Sequence, residues 1–387
     1  MKKILFVVPD RKMGGVSVVL EDILNNISLE EKQVDLLILN NEGSRLANID
    51  KRINIIYGGS FFKAIDTPIS SFLKKFDFLM LSRKLYTVFL LKTGLIKSLL
   101  IRQRKKILND KYDVEVSFKD GFVAIFTSVG DTPQKIHWIH SQYKNFDPTR
   151  NYRKTFKNIY DNFDLVVSVS LEAMNNFNKL YHCEDKYRII DNIIDTKKIK
   201  TLSTDKQKLS DREINIVSVG RLDKTKGYDI LLQVCSRLKN NNFMDNVHIT
   251  IIGEGPETGK LEALKKDLKL EKYVSFIGKQ DNPYPYMAGA NFYVSSSRTE
   301  SFGLTLVEAL IIGIPVLTVE NAATSIIVEN NVNGLIVPNS SDGLYEGLKK
   351  FINDREFVLQ LKKNALLYDY ESTNREIIQT IEKILND

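Results

Sequence analysis

At 387 residues the chain is too long for one ordinary hydrophobic core and has the length of two domains. Hydrophobic residues make up 43% and charged residues 27%, which points to a soluble globular class and excludes a disordered one. The formal net charge is +7, and it is local: between Ser60 and Leu108 eleven Lys or Arg face only Asp66 and Asp77.

In chain order, Lys3–Val8 reads as a buried strand, its apolar run too short for a secretory h-region. Gly14-Gly15 follows it and opens a helix, Val16–Ile27, whose apolar residues Val16, Val19, Leu20, Ile23, Leu24 and Ile27 recur at helical spacing. Val34–Leu39 is the next strand. The basic segment that follows is interleaved with Phe, Leu, Ile and Tyr. That pattern suits an amphipathic helix on an anionic membrane better than a reader of nucleic-acid grooves. The competing reading is a solvated helical face covering a core. Lys92 and Lys97 interrupt the apolar stretch Leu85–Ile101, so a spanning helix is not expected. Val114–Phe118, Lys135–Ile139 and Leu165–Val169 complete a first series of strands. At the end of the second of these, alternation puts His137 and Ile139 on one face and leaves His140 at the strand's tip. A core histidine is the competing reading there.

The polar stretch Thr196–Arg212 reads as a crossover between domains. A second series follows: Ile214–Val219, Val247–Ile252, Tyr273–Phe276, Asn291–Val294, Pro315–Thr318 and Leu335–Val337. Asp354–Asp387 reads as mostly helical. Short apolar runs alternating with helical segments predict an α/β class with two Rossmann-like, doubly wound domains facing across a cleft. The expected bounds are residues 1–192 for the first domain and 193–365 for the second, with 366–387 returning to the first. Cys183 and Cys235 match no metal or disulfide spacing, which favours a reducing cytoplasm.

Chemistry is expected in the loops after the strands. Gly220-Arg221 to Lys226-Gly227 puts two cations at a strand's carboxyl end, suited to phosphate. Glu300-Ser-Phe-Gly-Leu-Thr-Leu-Val-Glu308 begins before a helix that Gly303 opens. Backbone amides at that helix start would meet an anion, and Gly303 lets a diphosphate come close to the backbone. Glu308, one turn in, can accept hydrogen bonds from a ribose diol, and Glu300 would meet a sugar. Gly253, in Gly253-Glu-Gly-Pro256, lies in a turn fit to line a nucleotide pocket, and the Ile277-Gly278 loop offers backbone groups to a base edge. Solvated cations, capping carboxylates and plain connecting turns are the competing readings. There is no Asp-x-Asp pair and no convincing histidine ligand spacing, so neither a metal nor another cofactor is expected.

Together these segments resemble the retaining GT-B glycosyltransferases of family 4, over nearly the whole chain and most densely from Ile214 to Val337. The likeness rests on Val219-Gly-Arg-Leu with Lys226-Gly227, Ile252-Gly-Glu-Gly-Pro256, Glu300 to Glu308, Gly313-Ile-Pro-Val316 and Asn333-Gly334. Tyr112-Asp-Val-Glu115, Trp138-Ile-His140 and Asn282-Pro-Tyr-Pro-Tyr286 look most like bacterial capsule and surface-polysaccharide transferases. The resemblance implies that Arg221 and Lys226 neutralise the leaving diphosphate and that Phe302, Gly303 and Leu304 offer backbone contacts to phosphate and sugar. It implies that Glu308 holds the ribose and Glu300 the donor sugar, while His140 and Gly14-Gly15 face the sugar from the acceptor side. The implied partners are a nucleotide-sugar, a UDP-sugar in the first instance, and a glycan or polyprenyl-linked glycan acceptor. An anionic membrane surface is a further expected partner, at the inner face of the cell membrane, and nucleic acid is not. Two departures stand out: Asn192-Ile-Ile-Asp195 lacks a usual glycine, and Ser301 replaces another. A GDP-sugar (mannosyl-type) transferase, a UDP-sugar epimerase and a non-catalytic partner subunit are the rival readings.

Overall fold

A computed structural model describes residues 1–10, 14–41, 49–59, 61–63, 78–93, 95–143, 158–183 and 185–387. The chain divides into two compact units, Met1–Ile193 with Arg375–Asp387, and Ile194–Asn374.

In the first unit the strands are β1 (Lys2–Val8), β2 (Lys32–Ile38), β3 (Asn54–Tyr57), β4 (Val114–Ser117), β5 (Gln134–Ile139), β6 (Leu165–Ser168) and β7 (Tyr187–Ile189). They form one sheet in the order β3-β2-β1-β4-β5-β6-β7, parallel throughout. Ile4 to Val8 are fully buried, as an unbroken apolar run requires when helices cover both faces of a parallel sheet. β3 and β7 were not expected from the sequence. Both are short edge strands with half-exposed side chains, so neither carries an apolar run to announce it.

The second unit repeats the plan with β8 (Ile214–Val219), β9 (Val247–Ile252), β10 (Val274–Phe276), β11 (Phe292–Ser295), β12 (Val316–Val319) and β13 (Gly334–Val337). Their order is β10-β9-β8-β11-β12-β13, again parallel. The core on one side of this sheet joins Ile216, Ile249, Ile251 and Val294 to Leu231, Leu232, Cys235 and Leu348 of the covering helices. The polar stretch after Ile194 is not all linker. Asp195 caps a short helix, Thr196–Leu202, by accepting from the Lys198 N–H at 2.9 Å.

The basic segment divides into two described helices, Phe78–Thr93 and Ile96–Ile107. Residues 64–77, which carry Asp66, Lys74, Lys75 and Asp77, lie outside the described residues, as does the Lys92 side chain. One of its cations has a different job from the one its sequence neighbours suggest. Arg104 is buried and clasps Glu115 through two hydrogen bonds of 2.8 and 2.7 Å, with a third to the Phe126 carbonyl at 2.9 Å. Thr132 donates to the same Glu115 carboxylate at 3.0 Å. Arg104 therefore belongs to the interior, where only full pairing offsets the loss of hydration. Among the described residues no helix is long and apolar enough to cross a membrane.

Candidate active site

In a doubly wound sheet the ligand site lies beyond the carboxyl ends of the strands, where the strand order reverses. In the second unit that point falls between β8 and β11. The loop after β8 carries Arg221 and Lys226, and the loop after β11 carries Glu300 and Gly303. These residues are thus brought to one edge although 74 positions separate the key pair. The Lys226 Nζ–Glu300 Oε1 distance is 2.6 Å, with only 21% and 12% of the two side chains exposed.

The two loops are stitched together below that pair. Ser296 Oγ donates to the Lys226 carbonyl at 2.9 Å, and the Arg298 N–H donates to the Thr225 carbonyl at 2.8 Å. Arg298 also binds Asp229 in bidentate fashion at 2.8 and 2.7 Å and the Lys224 carbonyl at 2.7 Å. The Arg298 guanidinium holds the Asp229 carboxyl below its usual range. Gly227, at φ 65°, makes the approach of the loops possible, because a Cβ there would lie 2.1 Å from the Ser296 carbonyl oxygen. The sequence reading missed Arg298. It lies three residues beyond β11, as Arg221 lies two beyond β8, so the same cation-after-strand pattern marks it.

Helix Leu304–Ile312 starts at the same edge. Gly303 is its N-cap at φ 88°, and no side chain caps it. Among the described residues, no acceptor is found for the N–H groups of Gly303, Leu304 and Thr305, so this helix start presents donors and the positive end of its dipole. Phe302 is buried and anchors the turn. Glu308, one turn along, is partly buried. Burial pushes its carboxyl up to about 7, against the opposing pull of the Tyr284 hydroxyl, which donates to it at 3.3 Å, and of the Lys226 charge. Tyr284 is a second residue that sequence reasoning left without a role.

Arg221 is set apart from this group. Its side chain is 71% exposed and lies 3.9 Å from Asp223, not against the Lys226–Glu300 pair. Gly253 locks the turns after β8 and β9, since a Cβ there would sit 1.9 Å from the Gly220 carbonyl oxygen. Its N–H donates to the Gly278 carbonyl at 2.9 Å. The Ile277 N–H is used by the Ile251 carbonyl at 3.1 Å, and its own carbonyl accepts from Gln280 at 2.9 Å. A Cβ on Gly278 would meet nothing, so the floor of this loop is open.

In the first unit the order reverses between β1 and β4. Gly14, at φ 64°, caps helix Gly15–Asn26, and a Cβ on it would meet only open space. The loop after β4 holds a buried acid that the sequence reading passed over, Asp120. Tyr143 donates to it through a short hydrogen bond, and its Oδ1 lies 3.4 Å from His137 Nε2. Despite burial, which alone would raise it, the His137 and Tyr143 contacts hold the Asp120 carboxyl below its usual range. His140 lies against Phe118 at 4.7 Å between ring centroids, with Trp138 stacked at 6.4 Å. Burial lowers its imidazole to about 3, and its Nε2 has no partner among the described residues. No cluster of three metal-ligating side chains occurs among the described residues.

Two parallel α/β units, with a helix start that presents N–H donors at the switch point of the second, define the class of fold. Residues 200–367 match the family model described as glycosyl transferases group 1. The fold is GT-B. HepE of Anabaena, solved with UDP and glucose, superposes with a TM-score of 0.71 over 99% of this chain and 100% of its own at 18% identity. TarM of S. aureus, a mutant solved with fondaparinux, alpha-GlcNAc-glycerol and UDP, does so with a TM-score of 0.72 over 100% of both chains at 17% identity. Among curated proteins, the N-acetylgalactosamine-N,N'-diacetylbacillosaminyl-diphospho-undecaprenol 4-alpha-N-acetylgalactosaminyltransferase of Campylobacter jejuni is 30% identical over 182 residues, 46% of this chain and 48% of its own. The O-antigen biosynthesis glycosyltransferase WclY of Escherichia coli is 34% identical over 101 residues, 26% of this chain and 27% of its own. The chain spans about half the length of the first of these relatives and less of the second.

Proposed function

We propose that this protein is a family 4 glycosyltransferase that moves a sugar from a UDP-sugar to a hydroxyl of a lipid-linked or oligosaccharide acceptor in surface polysaccharide synthesis. Transfer proceeds with anomeric retention and without a metal, on the cytoplasmic side, where nucleotide-sugars are available. The observation that carries the reading is the Lys226–Glu300 pair beside the uncapped start of helix Leu304–Ile312. A diphosphate needs cations and N–H donors fixed before charge develops, because preorganised dipoles lower the barrier without reorganising. Lys226 and the helix start supply both at one edge of the sheet. Glu300 is bonded to that ammonium and suited to a hydroxyl of the donor sugar, while Glu308 suits the ribose diol. Arg221, exposed at the rim, closes on the diphosphate when the donor binds.

In the reaction the bond between the anomeric carbon and the diphosphate oxygen breaks. The acceptor oxygen bonds to that carbon from the same face, and its proton passes to the departing phosphate oxygen. His140 stays neutral at working pH and belongs, on this reading, to the acceptor side with Gly14-Gly15. The acceptor class draws on the C. jejuni relative, which is named for transfer to a diphospho-undecaprenol-linked sugar. The donor base draws on UDP in HepE and TarM.

Donor turnover tests the reading: UDP release from a panel of UDP-sugars, with and without polyprenyl-linked acceptors. Lys226→Ala should reduce turnover by about 100-fold or more, as removal of one transition-state donor does elsewhere. Wild-type turnover in Lys226→Ala would sink the assignment. Conversion of the nucleotide-sugar with no UDP released would favour an epimerase.

A further inference from the structure

Helix Phe78–Thr93 turns its apolar side outward. Phe78 is 70% exposed, Leu79 64%, Leu85 54%, Tyr86 58% and Phe89 57%. At 100° per residue, Phe78, Ser82, Leu85 and Phe89 share one line, with Leu79, Tyr86 and Thr93 beside it, whereas Met80, Thr87 and Leu90 face the interior. A surface helix of a globular domain shows the opposite arrangement. Helix Ile96–Ile107 packs on it and buries Ile96, Leu100 and Arg104. Its outer face carries Lys97, Arg102, Lys105 and Lys106, with the exposed Leu95 and Ile101 alongside. No acidic residue occurs from Phe78 to Leu108.

We propose that these two helices form a docking surface for an anionic lipid bilayer. Phe78, Leu79, Leu85, Tyr86 and Phe89 enter the boundary between headgroups and acyl chains, while Arg102, Lys105 and Lys106 face lipid phosphates. An outward apolar arc is stabilised only where it leaves water, and its cationic neighbour selects a negatively charged surface. A second copy of the chain is a poor occupant, because it would oppose two acid-free cationic helices. A nucleic-acid duplex would leave the apolar arc in water. The proposal stands on this surface alone and does not depend on the transferase reading.

The test is flotation of the full chain with vesicles of phosphatidylcholine alone or mixed with phosphatidylglycerol, alongside light scattering without lipid. The protein should float with the mixed vesicles and much less with neutral ones. Lys105→Glu with Lys106→Glu should lower partitioning by about 25-fold or more, at roughly fivefold for each cation lost near an anionic surface. Leu85→Ser with Phe89→Ser should lower it by at least about tenfold while leaving the circular dichroism spectrum unchanged. Equal flotation with neutral vesicles, or no flotation at all, would overturn the proposal. So would a dimer by light scattering that Leu85→Ser with Phe89→Ser converts to monomer.

Discussion

Glu308 offers a prediction that joins the electrostatics of the site to its proposed ligand. Its carboxyl is raised from an ordinary 4.5 to about 7, first by burial. A ribose diol donates two hydrogen bonds, and the ionised carboxylate accepts both, so nucleotide binding favours the deprotonated form. With half the sites ionised near pH 7, affinity for UDP should fall about tenfold between about pH 8 and pH 6, following the ionised fraction. The sign for the free protein is opposite. The folded state holds this proton up to about 7 and the unfolded state only to 4.5, so the apoprotein loses stability as pH rises through that window, by about 3 kcal/mol. Calorimetric titration with UDP across pH measures the first effect, and urea denaturation across pH the second. Glu308→Gln should bind UDP more weakly with a flat profile and remove this carboxyl's share of the stability lost in that window, leaving the share of other raised groups such as Asp191. A wild-type affinity that does not change with pH, or a Glu308→Gln profile that still falls, would refute the reasoning.

Three further outcomes follow from the packing. Gly227→Ala forces a left-handed φ on a residue with a Cβ and drives it to 2.1 Å from the Ser296 carbonyl oxygen. It should cost about 2–4 kcal/mol, read as a lower urea midpoint, with UDP binding lost because the two loops separate. Glu115→Ala leaves Arg104 buried without its carboxylate and should destabilise the protein by about 3–5 kcal/mol, whereas replacing both by apolar residues should recover much of the loss. Cys183 and Cys235 are buried thiols pushed up to about 11 and about 12 by burial, so neither should react with an aromatic disulfide reagent at neutral pH until denaturant is added.

Much of the fold is legible in the sequence because the central strands are buried on both faces. Ile4 to Val8 is an unbroken buried apolar run, while Val247 to Ile252, buried along its length, and Ile214 to Val219, buried at Ile216 to Ser218, are mostly apolar and read as sheet interior. The edge strands β3 and β7 escape notice because half-exposed short strands carry no such run. In the site, Gly303 announces its helix through a local signal, a glycine ahead of a helical apolar face. The Lys226–Glu300 pair has no local signal. It exists because two loops 74 residues apart meet where the strand order reverses. The contact of Tyr284 with Glu308 is hidden because it joins two separate helices, Tyr284–Ala288 and Leu304–Ile312, at positions 24 apart. Arg104 shows the reverse error: its neighbours mark it as a surface cation, and only the fold reveals Glu115 beneath it.

On the proposed function, the β8 and β11 loops bind the diphosphate of a nucleotide-sugar donor. Isothermal titration of the full chain with UDP, and with GDP for comparison, tests it most directly when repeated on Lys226→Ala and on Gly303→Val, which strains the φ 88° turn that opens the helix. The wild-type protein should show one UDP site and preference over GDP, with affinity reduced at least tenfold in each variant. Absence of UDP binding to the wild-type protein, or equal affinity in all three, would contradict it.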